Sequence, residues 1–203
     1  MLTLIGQSTA EPVSIAEART YMRLESTDST AEDTLIGAYI TAARQLAENI
    51  TKRALVQSTW QIILNEFCNS TQAIDLLRPP ISTASTSVVI TYVENNTAGN
   101  STIIPSTAYT IDADKEPGRV YPSYNNYWPT NSIRLQEKSV TIQYASGYNS
   151  STIPAPVKIW IQQRVASMYD NREPIIIGQT VENMPRDFVN GLLDPYMILT
   201  ATT

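Results

Sequence analysis

The run Asp112-Ala-Asp114-Lys-Glu116-Pro-Gly118 places carboxylates at alternate positions, as at the start of a calcium loop, where side-chain oxygens converge on a hard cation. The match stops there. Pro117 stands where the sharp-turn glycine belongs, Ser123 stands where the bidentate glutamate belongs, and no helices flank the run. The plainer expectation is a type II β-turn with Pro117 and Gly118 at its centre, joining two strands. A looser acid set, Glu66, Asp75, Glu94, Asp112 and Glu137, lies near strand-like segments. Two of these could serve a glycoside hydrolase if they faced each other across a cleft, which spacing alone does not show. Histidine is absent and Cys68 is the single cysteine. Disulfides, CxxC sites, His-containing metal clusters and Ser-His-Asp or Cys-His nucleophiles are thereby excluded. The seven glycines form no phosphate-cradling loop. No catalytic residue, cofactor or metal is expected, and Cys68 is expected to sit as a small hydrophobe at a strand end.

A second kind of chemistry is offered by residues 117–129, PGRVYPSYNNYWP, with Tyr121, Tyr124, Tyr127 and Trp128 in thirteen positions. Such rings could stack unpaired bases or sugars. A base-binding platform also needs a basic groove, and Arg119 stands alone. Aromatics between prolines also pack over a sheet edge or a subunit interface, where Tyr and Trp bury area while keeping one polar atom wet. The stacking surface for sugars is retained as the alternative, a carbohydrate-binding or adhesive module built on residues 121–128.

Composition narrows the partners. The 203 residues are 42% hydrophobic, enough for a real core, yet only 16% charged, with a net charge of −5. Basic residues are scattered, so tight phosphate-backbone binding, which rests on clustered cations, is not expected. No stretch of about 18 apolar residues and no basic, then apolar, leader occurs, so a cytosolic product without a membrane span is expected.

The elements that would position these residues follow from periodicity. Ser14 and Glu17 form a capping box for a short helix ending near Arg23, with Ile15, Ala18 and Met22 on one face. Thr30 or Ser29 is expected to cap a second helix, running to near Arg53, with Leu35, Ile36, Tyr39, Ile40, Ala43, Leu46, Ala47 and Ile50 along its stripe. From Gln57 the period becomes extended, with about six strands at 59–67, 74–77, 87–93, 109–112, 118–121 and 139–144. Helical spacing returns after Pro154 and Pro156, with Val157, Trp160, Ile161, Val165 and Met168 on one face, and a last helix is expected from Arg186 to Leu193. The expected fold is α+β, a helical bundle formed by N- and C-terminal helix pairs with an inserted, mainly antiparallel β domain. Residues 1–56 and 150–203 would form the helical part and 57–149 the insertion. Ile175, Ile176 and Ile177, between two helices, suggest a core-covering loop or an intersubunit contact.

Several segments recur in a telling order: LTLIGQSTAEPVSIAEARTYMRL, AARQLAENITKRALVQSTW, LLRPPI with SVVITYV, DADKEPGRVYPSYNNYWP, YASGY before IPAPVKIWIQQRVASMYDNREPIIIG, and LLDPYMI. Together, over nearly the whole chain, they resemble the tailed-phage head-to-tail connector (adaptor) family in its longer form with a β insertion. The polar end ILTATT departs from that pattern. The resemblance implies a structural virion protein at the neck, made in the host cytoplasm, whose copies form a homo-oligomeric ring, expected to be dodecameric, beneath the portal protein. That ring would extend the DNA channel, let genomic DNA pass without sequence-specific binding, and give a stopper or tail-completion protein its docking platform. By the same resemblance the portal contact falls on Leu193, Asp194, Pro195, Tyr196, Met197, Ile198 and Leu199. Tyr124, Tyr127 and Trp128 join Ile175, Ile176 and Ile177 as intersubunit candidates.

Overall fold

A computed structural model describes residues 1–24, 32–82, 84, 87–171 and 191–198. The chain divides into a β unit, Met1–Ser8 with Val56–Gly147, and a helical unit, Thr9–Leu55 with the described part of Tyr148–Thr203.

Among its described residues the β unit holds eight strands: β1 (Leu2–Gln7), β2 (Ser58–Leu64), β3 (Ile74–Leu76), β4 (Val88–Val93), β5 (Ser101–Ile104), β6 (Tyr109–Asp112), β7 (Gly118–Pro122) and β8 (Val140–Ser146). They make two antiparallel sheets, ordered β1-β2-β8-β4-β5 and β3-β7-β6. Strict alternation decides which side is buried. One register row crosses the larger sheet as Leu2, Ile62, Ile142, Ile90 and Ile104, and the four isoleucines are buried. From the smaller sheet Leu76, Tyr109 and Val120 join the same core. Two tyrosine hydroxyls tie the layers together: Tyr109 donates to the Val88 carbonyl at 2.6 Å and Tyr144 to that of Leu77 at 2.8 Å. Burial raises both phenol pKa values, so each remains a neutral donor.

The alternate residues of the larger sheet face outward. Neighbouring rows read Thr3, Gln61, Gln143, Val89 and Ile63, Thr141, Thr91, Ile103. Neither row contains a charged residue.

The helical unit contains α1 (Ile15–Met22), α2 (Asp33–Thr51) and α3 (Ala155–Asp170). The Ser14–Glu17 capping box is present: Glu17 N donates to Ser14 Oγ at 3.2 Å and Ser14 N to Glu17 Oε2 at 2.7 Å. The bond from the Ser14 backbone amide holds the Glu17 carboxyl below its ordinary value of 4.5. Ile36, Ile40, Ala43 and Ala47 of α2 meet Val157, Trp160, Ile161 and Val165 of α3 in one core with Ala18 of α1. A charged cluster lies beside it. Arg44, buried to 3% exposure, bonds Glu11 at 2.7 Å and Glu48 at 2.8 Å, and Glu48 also accepts from the Leu55 amide.

These findings correct the expected fold class. Among the described residues there are three α-helices against eight strands in two antiparallel sheets, so the chain is not a helical bundle carrying an inserted β domain. The physical reason begins at residue 2: LTLIGQ, expected with the helical part, pairs with β2 as an edge strand. A register shift between Leu4 and Gly6 breaks its alternation and hides it from a period-two reading. Thr30 and Ser29 lie outside the described residues, as does the helix expected from residue 186 except for its last three positions. Those three form a turn leading into a single 3-10 turn, Asp194–Tyr196.

Candidate functional site

The aromatic segment leaves the smaller sheet through β7. Val120 points into the core, which puts Tyr121 on the outward face. Ser123 N donates to the Ala108 carbonyl at 3.0 Å, and Asn126 N closes a tight turn onto Ser123 O at 2.9 Å, with Asn125 in the left-handed region at φ 60°. Asparagine tolerates that conformation better than most residues. Tyr124 is lifted to the tip and is 92% exposed; Tyr127 is 67% exposed.

Trp128 ends the excursion. It is 3% exposed, stacked on Phe67 with ring centroids 5.0 Å apart and planes 8° from parallel. Its Nε1–H donates to the Gln72 carbonyl and its backbone N–H to that of Ser70, both at 2.7 Å. Of the three aromatics named as intersubunit candidates, Trp128 is an internal anchor and Tyr124 and Tyr127 form the exposed surface. Residues 120–133 contain no charged side chain; Arg119 and Arg134 border them, and Arg119 is bonded to Asp75 at 2.9 Å. The loop can offer ring faces and hydroxyls but no charge.

The other sequence candidates are placed as follows. Asp112 and Asp75 flank Arg119 in register across three strands, Asp112 Oδ1 accepts from Asp114 N, and Glu66 and Glu137 are exposed. Glu94 accepts from Thr102 Oγ1 at 2.5 Å and from Asn96 at 2.7 Å. Among the described residues no group of three or more His, Cys, Asp or Glu side chains could hold a metal ion. The turn at Pro117-Gly118 is not type II, because Gly118 lacks the positive φ that type needs. Glycine is needed there for space: a Cβ would lie 2.7 Å from Ile81 Cγ1. Cys68 is exposed, beyond the end of β2, and not a buried hydrophobe.

The C-terminal candidates collect on the helical unit. Leu193 is fully buried in its core. Arg53 Nε donates to the Tyr196 carbonyl at 2.7 Å, and Ile198 N to the Thr51 carbonyl at 3.0 Å. Asp194 and Pro195 are exposed, Met197 is half-buried, and Leu199, Ile175, Ile176 and Ile177 lie outside the described residues.

A cavity of about 420 Å³ opens in the β unit among Gln7, Ser8, Gln57, Ser58, Ser82 and Ser146. Its lining has no titratable side chain, so acid–base chemistry has no agent there. Among the described residues no helix is long and apolar enough to cross a membrane. Sequence reasoning missed the uncharged outer face of the larger sheet, although the signal was present as alternating Thr and Gln in β2 and β8.

No family model and no curated protein matches the chain. Solved structures do. A chain from the neck of the empty gene transfer agent (GTA) particle, computed with C6 symmetry, aligns with a TM-score of 0.70 at 20% identity, covering 99% of this chain and 97% of that one. A chain of the native gene transfer agent virion gives 0.69 at 20% identity with the same coverage. One from the native particle's neck, computed with C12 symmetry, gives 0.67 at 18% identity, covering 98% and 97%. From end to end, this chain has the fold of these particle chains.

Proposed function

We propose that the chain is a structural protein of a virion neck, an adaptor whose copies form a ring beneath the portal protein. The observation that carries this is the likeness of fold over 97–99% of both chains to components of gene transfer agent particles. The C6 and C12 symmetries of two of those necks support a cyclic arrangement, with twelve copies as the specific proposal. In this reading the ring extends the DNA channel and offers the platform on which a stopper or tail-completion protein docks. A weakly charged, net negative chain suits a conduit that genomic DNA traverses without being trapped. The role requires no catalysis, cofactor or membrane.

The portal contact is assigned to residues 193–199. Leu193 seats the segment in the helical core, the bonds from Arg53 and Ile198 hold it, and exposed Asp194 and Pro195 are free to meet a partner. Tyr124 and Tyr127 are assigned to the contact between copies. Their exposure on an uncharged loop also favours one second reading, sugar stacking by an adhesive module, which a glycan array tests. The adaptor reading is tested by producing particles without this chain. Filled heads and separate tails that fail to join are expected, with joining restored when the chain is supplied. Fully joined particles in its absence would overturn the reading.

A further inference from the structure

A head-to-tail ring requires two different patches on each copy, one to give and one to receive. The tyrosine loop is one. We propose that the receiving patch is the uncharged outer face of the five-stranded sheet on the neighbouring copy, so that Tyr124 and Tyr127 lie across Gln61, Gln143, Thr141 and Thr91. This inference rests on the ring reading and adds to it the partner surface.

Three observations converge on a second copy of this chain as the occupant. The first is charge. The solvent face of an antiparallel sheet ordinarily carries polar and charged side chains, and single charges keep such faces apart. This chain has 33 charged residues, 14 basic and 19 acidic, yet the outward rows of β2, β8, β4 and β5 hold none. The loop over 120–133 likewise holds none. Two neutral surfaces can desolvate each other without burying an unpaired charge. A nucleic-acid partner would instead require clustered cations.

The second is placement. The two sheets share one core, so their outer faces point away from each other. Tyr121 stands on the outer face of the smaller sheet and the Thr/Gln rows on that of the larger. Copies stacked in one direction therefore bring the Tyr121 side of each, from which the loop departs, against the sheet side of the next.

The third is shape and size. The exposed residues on the rows, Gln143, Val89 and Ile103, alternate with half-buried Thr91 and Thr141, giving a flat surface of methyls, hydroxyls and carboxamides. Tyrosines supply the matching ring faces and hydroxyls. Tyr121, Tyr124 and Tyr127, exposed to 37%, 92% and 67%, could together bury roughly 300–500 Å², about half of the ~800 Å² that each partner gives to a standard interface.

The test uses neck-bearing particles made with Cys68→Ser chains that carry Tyr124→Cys, Gln143→Cys, or both. Under mild oxidation the doubly substituted chain should form a ladder of covalent oligomers, and the two single variants should form dimers only when produced together. As a second arm, Gln143→Lys should reduce incorporation into necks about 30-fold or more, because it buries an unpaired charge, and Tyr124→Glu in the same chain should restore much of it. Rings visible in the neck without these links would overturn the proposal and leave the ring reading intact. Links through Ile5→Cys and Ile103→Cys instead, on the edge strands β1 and β5, would show edge-to-edge joining and overturn it equally. Absence of the Cys68→Ser chain from particle necks would defeat the ring reading itself.

Discussion

Trp128→Ala separates the anchor of the aromatic loop from its exposed surface. The substitution removes a ring that is 3% exposed, its parallel stack on Phe67 and the donor to Gln72 O. Truncating a buried tryptophan costs about 3–5 kcal/mol, a range that includes the cavity left behind. For a chain of 203 residues, at about 2–4 °C per kcal/mol, the melting temperature should fall by roughly 6–20 °C. Trp128→Phe keeps a ring on Phe67 but leaves the Gln72 carbonyl unpaired, so about 1–3 kcal/mol is expected. Tyr124→Ala, at a residue 92% exposed, should stay within about 0.5 kcal/mol of the parent. Urea unfolding followed by far-ultraviolet circular dichroism measures all three without relying on the deleted fluorophore. A cost below about 1 kcal/mol for Trp128→Ala, or a larger loss for Tyr124→Ala than for Trp128→Ala, would refute the division into anchor and surface.

Other perturbations probe the scaffold and the tail. Arg44→Ala leaves Glu11 and Glu48 facing each other without their cation and should cost about 3–5 kcal/mol in chemical denaturation. Gly147→Ala should be worse tolerated than most surface changes, at more than about 3 kcal/mol, because φ is +108° and the new Cβ would lie 2.0 Å from the Val56 carbonyl oxygen. Glu17 has a lowered native pKa, so its capping contribution is present above about pH 4.5 and lost as pH falls through the lowered value; melting curves of the parent and Glu17→Gln should differ at neutral pH and converge in acid. Asp194→Lys, on an exposed residue, should leave melting unchanged while weakening capture of the chain by the portal in a pull-down.

Local rules carried much of the fold. The Ser14–Glu17 box, the α2 stripe and the two prolines at the entry to α3 are contiguous signals, and each element formed where its signal lay. Six of the eight strands were legible for the same reason. The other two were not: β1 is broken by its register shift, and β5 is four residues long on an edge, where one face is enough. The balance of helix and strand was misjudged because assigning residues 1–8 to a helical part requires knowing their pairing partner, β2, which lies some fifty residues away. Burial within the aromatic segment was equally non-local. Nothing around Trp128 in sequence distinguishes it from Tyr127; Phe67 and Gln72, across the core, make the difference. The uncharged sheet face is composed of residues from four strands, so it becomes visible only once register aligns them.

A reconstruction of the neck of particles carrying this chain, with an antibody fragment bound to an added tag, locates the copies without inference. The fragments should stand in a closed ring of twelve immediately beneath the portal. Fragments on tail fibres or the capsid surface, or a neck in which the chain is absent, would contradict it.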